Sequence, residues 1–272
     1  MYSFKYHRAQ SIAHASAILA KNSDAKLLAG GQSLVATMKL RLSRPSDLVD
    51  LGSIVELHGI KVENNAVTIG ALTRHFEVAA SPEVKKAISA LAGLAAGIGD
   101  RQVRNMGTLG GSVAHNDPAA DYPAAVVALD ATITTDRRTI QSDQFFKGMF
   151  ETGLQAGEII TSVTFPCPKM AAYMKFRNPA SRFAMVGVFV ADFGSGVRVA
   201  VTGAAPCVFR VADMEEALAS KFAPESLASI EVPEKGLNSD QHAESSYRAH
   251  LIAVMARRAV EAARRGAAQN WD

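Results

Sequence analysis

Apolar positions near the start of the chain fall at helical intervals. Ile12, Ala13, Ala15, Ala17, Ile18 and Leu19 predict a helix within residues 8–21, which Asn22-Ser23-Asp24 stops. The short run Ala25-Lys26-Leu27-Leu28-Ala29 reads as a strand that enters Gly30-Gly31 directly. Ser33 and Leu34 then open a second helix, carried by Val35, Met38, Leu40 and Leu42 and ended before Pro45. Residues 47–51 predict another strand, and the apolar positions flanking Asn64-Asn65 predict a hairpin. From Gly70 the pattern turns helical over 71–79 and 84–98, with Ser81-Pro82 suited to a helix start. Residues 99–123 crowd glycines, polar side chains and prolines together, so a long irregular loop is expected there, of the kind that carries function. A helix over 124–129 and strands over 132–135 and 158–166 follow. Beyond residue 170 the pattern changes class: strands at 171–176, 185–193 and 197–204, with a turn at Gly194-Ser195-Gly196, precede amphipathic helices at 212–220 and 246–265. A polar linker over 223–244 joins those helices.

Two glycine turns break this pattern in the same way. Ala29-Gly30-Gly31-Gln32-Ser33-Leu34 and Thr108-Leu109-Gly110-Gly111-Ser112 each set adjacent glycines and a hydroxyl between apolar flanks. A bare backbone of this kind can offer N–H groups to a phosphate, and strand, glycine turn and helix N-terminus in succession form an anion site. Two such turns point to one ligand with a long anionic backbone, a dinucleotide. At 272 residues, with 48% hydrophobic and 20% charged, the chain has room for two or three small domains. A net charge of +3 gives no reason to expect nucleic acid, and the basic end of the last helix (Arg257, Arg258, Arg264, Arg265) reads as a solvated or partner-facing surface. No apolar run has the ~18 residues of a membrane span and the start lacks a secretory core, so a cytoplasmic protein is expected. Cys167 and Cys207 stand apart and the histidines form no ligand pair, so no metal site is expected and any redox centre is organic. No side chain is expected to act as a catalytic acid, base or nucleophile. Asp117 and Asp121 divide into a helix cap and a contact for a ligand hydroxyl.

Three long stretches carry a resemblance to a known family. Residues 29–51 (AGGQSLVATMKLRLSRPSDLVDL), 98–131 (IGDRQVRNMGTLGGSVAHNDPAADYPAAVVALDA) and 245–260 (SSYRAHLIAVMARRAV) resemble, in order and spacing, the FAD-binding medium subunit of the molybdenum-containing hydroxylases, of the carbon monoxide dehydrogenase and xanthine dehydrogenase type. The resemblance covers essentially the whole chain. It implies an α+β protein: a two-lobed FAD-binding domain of the vanillyl-alcohol-oxidase (PCMH) type, with lobes at 1–58 and 59–170, then a small C-terminal domain at 171–272 of a three-stranded antiparallel sheet plus helices. Carried onto this chain, Leu27, Leu28, Ala29, Gly30, Gly31, Gln32, Ser33 and Leu34 supply the first pyrophosphate turn, and Thr108, Leu109, Gly110, Gly111 and Ser112 the second. Asp121 matches a carboxylate near the ribityl or ribose hydroxyls, Ile98 and Ile160 match apolar contacts around adenine and flavin, and Lys175 matches a basic residue close to the isoalloxazine. Phe183 is an aromatic ring able to cover one flavin face.

Read from the residues alone, several of these positions keep a plainer alternative: Thr108 as a cap, Lys175 as a surface lysine, and Phe183, Ile98 and Ile160 as core. Arg101 and Arg104 read either as loop braces or as a guide for a redox partner. The chain departs from the family in two places. Ser112 stands where Asn or Asp is common, and Ser181-Arg182-Phe183-Ala184 where many members have Gly-Asp-Tyr-Ala. The implied function is electron transfer through noncovalent FAD. The implied partners are a small subunit with [2Fe-2S] clusters and a large subunit with molybdopterin, assembled as a dimer of heterotrimers. The competing functions are a self-sufficient FAD-dependent oxidoreductase and a flavin-less scaffold subunit.

Overall fold

A computed structural model describes residues 1–266. The chain opens with a small parallel sheet. β1 (Lys5–Arg8) leads through α1 (Ile12–Lys21) to β2 (Lys26–Leu28), then α2 (Leu34–Lys39) and β3 (Asp47–Asp50). β3 lies between the other two, pairing Leu48 with Tyr6 on one side and with Lys26 on the other. Parallel neighbours need crossovers, and α1 and α2 supply them. The Ser11 hydroxyl accepts from the His14 N–H, which fixes the start of α1 at Ile12, four residues into the expected helical window. Ala9, Ala15, Val49, Leu51, Ile54 and Leu57 close the core of this layer.

The middle of the chain forms an antiparallel sheet. β4 (Ile60–Glu63) and β5 (Ala66–Gly70) turn at Asn64-Asn65, both left-handed with φ of 50° and 57°, as a tight two-residue hairpin turn requires. The chain then leaves the sheet through α3 (His75–Ala80), α4 (Pro82–Ala87), α5 (Ser89–Ala96), α6 (Arg101–Met106), α7 (Leu109–His115) and α8 (Tyr122–Ala128). It returns as β6 (Thr132–Thr135) and β7 (Thr139–Gln141), a short α9 (Ser142–Phe145), the hairpin β8 (Phe146–Gly148) and β9 (Glu151–Thr152), and β10 (Ile160–Pro166). β10 inserts between β5 and β6, giving the order β4-β5-β10-β6-β7.

The long irregular loop expected over 99–123 is largely helical instead. Asp100 accepts from the Val103 N–H and Thr108 from the Gly111 N–H, so two caps each start a short helix. Asn116 ends α7 in the left-handed conformation, φ 46°, and its side-chain amide donates to the Gly148 and Glu151 carbonyls of the β8–β9 hairpin. Asp117 does not cap a helix as expected: its carboxylate accepts from the Ala119 N–H within a turn, and the residue at the α8 cap position is Asp121.

The last layer is the sheet β11 (Met170–Arg177), β12 (Ala184–Asp192), β13 (Val197–Thr202) and β14 (Phe209–Arg210), followed by α10 (Ala212–Ser220) and α11 (Ser245–Arg265). Three long strands match the expectation, and the two-residue β14 adds a short fourth at the edge. All nine residues of β12 are buried, because both faces of the sheet are covered. Alternation divides them: Val186, Val188 and Val190 join Leu251, Ile252 and Met255 of α11, whereas Phe189 and Ala191 join the core that α8 and β10 share. The third sheet thus packs one face on the helices that follow it and the other on the middle of the chain.

Candidate functional site

A cleft of about 560 Å³ runs where the first sheet, α7, β10 and the β11–β12 loop meet, a size ordinary for a small-molecule site. Its first wall is the turn after β2. Gly31 is held at φ +73°, a conformation that a side chain would strain. A Cβ on Gly30 would overlap the Met106 carbonyl, so glycine there is what lets this turn touch the end of α6. The Val35 N–H bonds to the Gly31 carbonyl and the Thr37 N–H to the Ser33 carbonyl. Among the described residues, the five preceding N–H groups, Gly30 to Leu34, have no hydrogen-bond acceptor, and the Ser33 side chain does not cap the helix. All five residues line the cleft. Successive unpaired N–H groups at a turn entering a helix are a cradle for an anion.

The second turn works differently from the sequence expectation of bare N–H groups. The Leu109 N–H bonds to the Thr73 carbonyl at 3.0 Å and the Gly110 N–H to the Ala71 carbonyl at 2.8 Å. The Gly111 N–H is taken by the Thr108 hydroxyl, so the capping alternative for Thr108 holds even though the residue also lines the cleft. Glycine at 110 leaves room for Ala71, and the absence of side chains at 110 and 111 keeps the wall close to the first turn. This turn contributes shape, and the first contributes donors.

Three of the sequence-selected residues lie off the wall: Leu28, Leu109 and Lys175. The remainder face one cleft together. Ile98 and Ile160 are buried on its apolar side, and Phe183 stands half exposed at its mouth after Arg182, which is left-handed at φ 62°. Asp121 is on the wall and 3% exposed. The Lys175 ammonium pairs with Asp121 Oδ1 at 2.9 Å, and it also donates to the Gly97 carbonyl. The Tyr173 hydroxyl donates to the same carboxylate oxygen at 2.5 Å. Lys175 is therefore neither a surface lysine nor a wall residue: it anchors the cleft floor from behind Asp121. Burial, then the Asp121 charge, pushes the Tyr173 phenol well above its usual value, so it remains a donor. Arg104 donates to the Ile98 and Gly99 carbonyls, which assigns it to bracing the end of the Ile98 segment.

Two buried titratable residues of the wall gave no signal in the sequence. Glu158 accepts from Arg138, Thr135 and the Gln155 N–H, and these bonds, Arg138 foremost, hold its carboxyl at about 2. His75 opens α3 and is 5% exposed beside Tyr122, their ring centroids 5.4 Å apart. Burial foremost and then the charge of Arg104 lower it to about 4, so the ring is neutral. Neither residue stands in a motif; their neighbours are brought in by the fold.

The family model for the FAD binding domain in molybdopterin dehydrogenase matches residues 2–168. The chain belongs to that family. The flavoprotein is 36% identical to the carbon monoxide dehydrogenase medium chain of Hydrogenophaga pseudoflava, over 96% of each chain. It is also 36% identical to the nicotine 6-hydroxylase medium subunit of Paenarthrobacter nicotinovorans, over 94% of this chain and 95% of that one. Among solved structures it superposes on a chain of the Hydrogenophaga pseudoflava carbon monoxide dehydrogenase lacking the Mo-pyranopterin moiety, with a TM-score of 0.88, 35% identity and coverage of 97% and 98%. The α+β fold and the FAD cofactor expected from the sequence agree with these relatives, and the flavoprotein is an oxidoreductase component. The residues present fit FAD: its diphosphate needs several donors and no nearby free carboxylate, and the first turn offers unpaired N–H groups while Asp121 is already engaged by Tyr173 and Lys175.

Proposed function

We propose that this chain is the medium, electron-transferring subunit of a molybdenum hydroxylase. In this reading a small partner with [2Fe-2S] clusters delivers electrons to FAD in the cleft and an external acceptor removes them, while molybdopterin and substrate belong to a large partner. The assembly is a dimer of such heterotrimers, in the cytoplasm. The relatives named as medium chains support it. The observation that carries the reading is the row of unpaired N–H groups from Gly30 to Leu34 on one wall. We place the diphosphate there, with Thr108 to Ser112 closing over it, the ribityl or ribose hydroxyls toward Asp121, the apolar rings along Ile98 and Ile160, and Phe183 across the mouth. FAD, when bound, supplies the redox chemistry, accepting electrons and passing them on. The protein's own residues bind and orient it: the first turn neutralises the diphosphate, the apolar wall excludes water, and Lys175 and Tyr173 fix the Asp121 carboxylate. The division into lobes at 1–58 and 59–170 and a domain at 171–272 is part of the same proposal, and the three larger sheets support it.

The test is purification of the chain from its native cell under mild conditions. A flavin spectrum with iron–sulfur absorption, noncovalent FAD released on denaturation, and two further polypeptides, one large and one small, are expected. A lone yellow protein that turns over a small molecule would replace the subunit reading by a self-sufficient oxidoreductase, and a colourless chain within a complex by a scaffold.

A further inference from the structure

His75 is a polar side chain that the fold buries and leaves unsatisfied. His75 is 5% exposed, its Nδ1 is fully enclosed with no hydrogen-bond partner among the described residues, and the residue nonetheless lines the cleft. The Nε2 end of the ring lies against Gly107, where any Cβ would come within 2.6 Å of it. Gly107 itself is on the cleft wall, and its Cα is also among the atoms that a Cβ on Gly30 would strike. The imidazole therefore sits where the two glycine turns approach each other. The His75 N–H donates to the Gly107 carbonyl at 2.9 Å, so the backbone holds the ring at that junction.

The tautomer follows from the surroundings. A neutral imidazole carries one N–H and one lone pair. Enclosed N–H groups without acceptors are rarer than under-satisfied acceptors, which favours the lone pair on the enclosed Nδ1. The neighbouring Tyr122 hydroxyl is likewise enclosed and without a partner among the described residues, and its O–H can turn toward an accepting Nδ1. The hydrogen is then on Nε2, at the Gly107 side of the ring.

We propose that His75 is a binding residue for the cofactor, its Nε2–H donating a hydrogen bond to the diphosphate at the junction of the two turns. The inference rests on the placement of the diphosphate at the first turn. It adds a side-chain donor that is uncharged at neutral pH to the row of backbone donors, so the site recognises the diphosphate by direction as well as by charge.

Titration of the full-length chain, stripped of flavin, with FAD measures the contact. A hydrogen bond to a charged group corresponds to about a tenfold change in Kd. His75→Leu should therefore bind FAD about tenfold more weakly than wild type. His75→Gln, whose amide can place an N–H near the Nε2 position, should recover most of that loss. The 31P resonances of bound FAD should shift in His75→Leu. Long-range 15N–1H spectra of the histidine-labelled wild-type chain need no variant to fold: they should show an Nε2–H ring whose Nε2 resonance moves on adding FAD. Equal FAD affinity in wild type and His75→Leu, a glutamine variant no tighter than the folded leucine variant, or an Nδ1–H ring unmoved by FAD would each overturn the contact. Gly31→Val in the same titration isolates the underlying placement: undiminished affinity there overturns the diphosphate assignment, whatever His75 does.

Discussion

Lys175→Met tests whether the floor of the cleft depends on its ion pair. The ammonium lies 2.9 Å from Asp121 Oδ1, with side-chain exposures of 0% and 3%, and the Tyr173 hydroxyl shares the same oxygen. Methionine keeps most of the aliphatic length, so the packing loss is small and the electrostatic loss decides the outcome. An exposed pair of this kind contributes at most about 1 kcal/mol. Removing one member of an enclosed pair strands the other charge and costs about 3–5 kcal/mol. The second figure applies here, because water cannot reach Lys175. Urea unfolding of the full-length chain, followed by circular dichroism, should show a loss of about 3–5 kcal/mol for Lys175→Met. Lys175→Met combined with Asp121→Asn should recover most of it, since both charges leave together and Tyr173 retains an oxygen acceptor. A single-variant loss under about 1 kcal/mol, or a double variant as unstable as the sum of the single changes, would refute the account of Lys175 as the anchor of Asp121.

Gly31→Val should abolish FAD retention, and the reason is backbone strain: at φ +73° the new side chain also meets Val35 and Leu28, so the turn shifts and its N–H groups lose their common direction. Normal flavin content, measured after denaturing release, would count against this. His75, lowered to about 4 from 6.5 by burial and then Arg104, binds its proton less readily folded than unfolded. The stability due to its neutral form is complete above about pH 6.5 and lost as pH falls through 4, a limb that His75→Gln should flatten in unfolding curves across that window. Glu158, held at about 2 against 4.5 chiefly by Arg138, contributes stability above about pH 4.5 that is lost as pH falls toward 2. Glu158→Gln should be least stable relative to wild type near neutrality and approach it in acid; a constant difference across pH would contradict the assignment.

The elements were legible wherever one local pattern decided them. The period of α1, the Asn64-Asn65 hairpin and the alternation of β12 are each set by residues close in sequence. Residues 99–123 were not legible, because their glycines resemble loop composition while the stabilising bonds come from elsewhere. The caps Asp100 and Thr108 are visible in the sequence, yet α7 survives two internal glycines because its first N–H groups reach the Thr73 and Ala71 carbonyls. His75 escaped for the same reason, and so did the buried pairing of Lys175: their environments are assembled from Tyr122 and Gly107, and from Asp121 and Gly97.

The two glycine turns look equivalent as sequence but divide the work of the site between them. In the first, the N–H groups from Gly30 to Leu34 are unpaired among the described residues, so a change there that leaves the fold intact acts on binding. In the second, the N–H groups of Leu109, Gly110 and Gly111 are already bonded inside the protein, so a change there acts first on packing. Gly110→Ala would bring a Cβ to 2.5 Å from that of Ala71, loosening α7 from the 71–73 segment. It should lower stability with or without flavin, at a cost in the roughly 1–3 kcal/mol range of an overpacked interior. A Gly110→Ala protein with unchanged unfolding midpoint and lost FAD would restore the sequence expectation that both turns serve the diphosphate directly through their N–H groups.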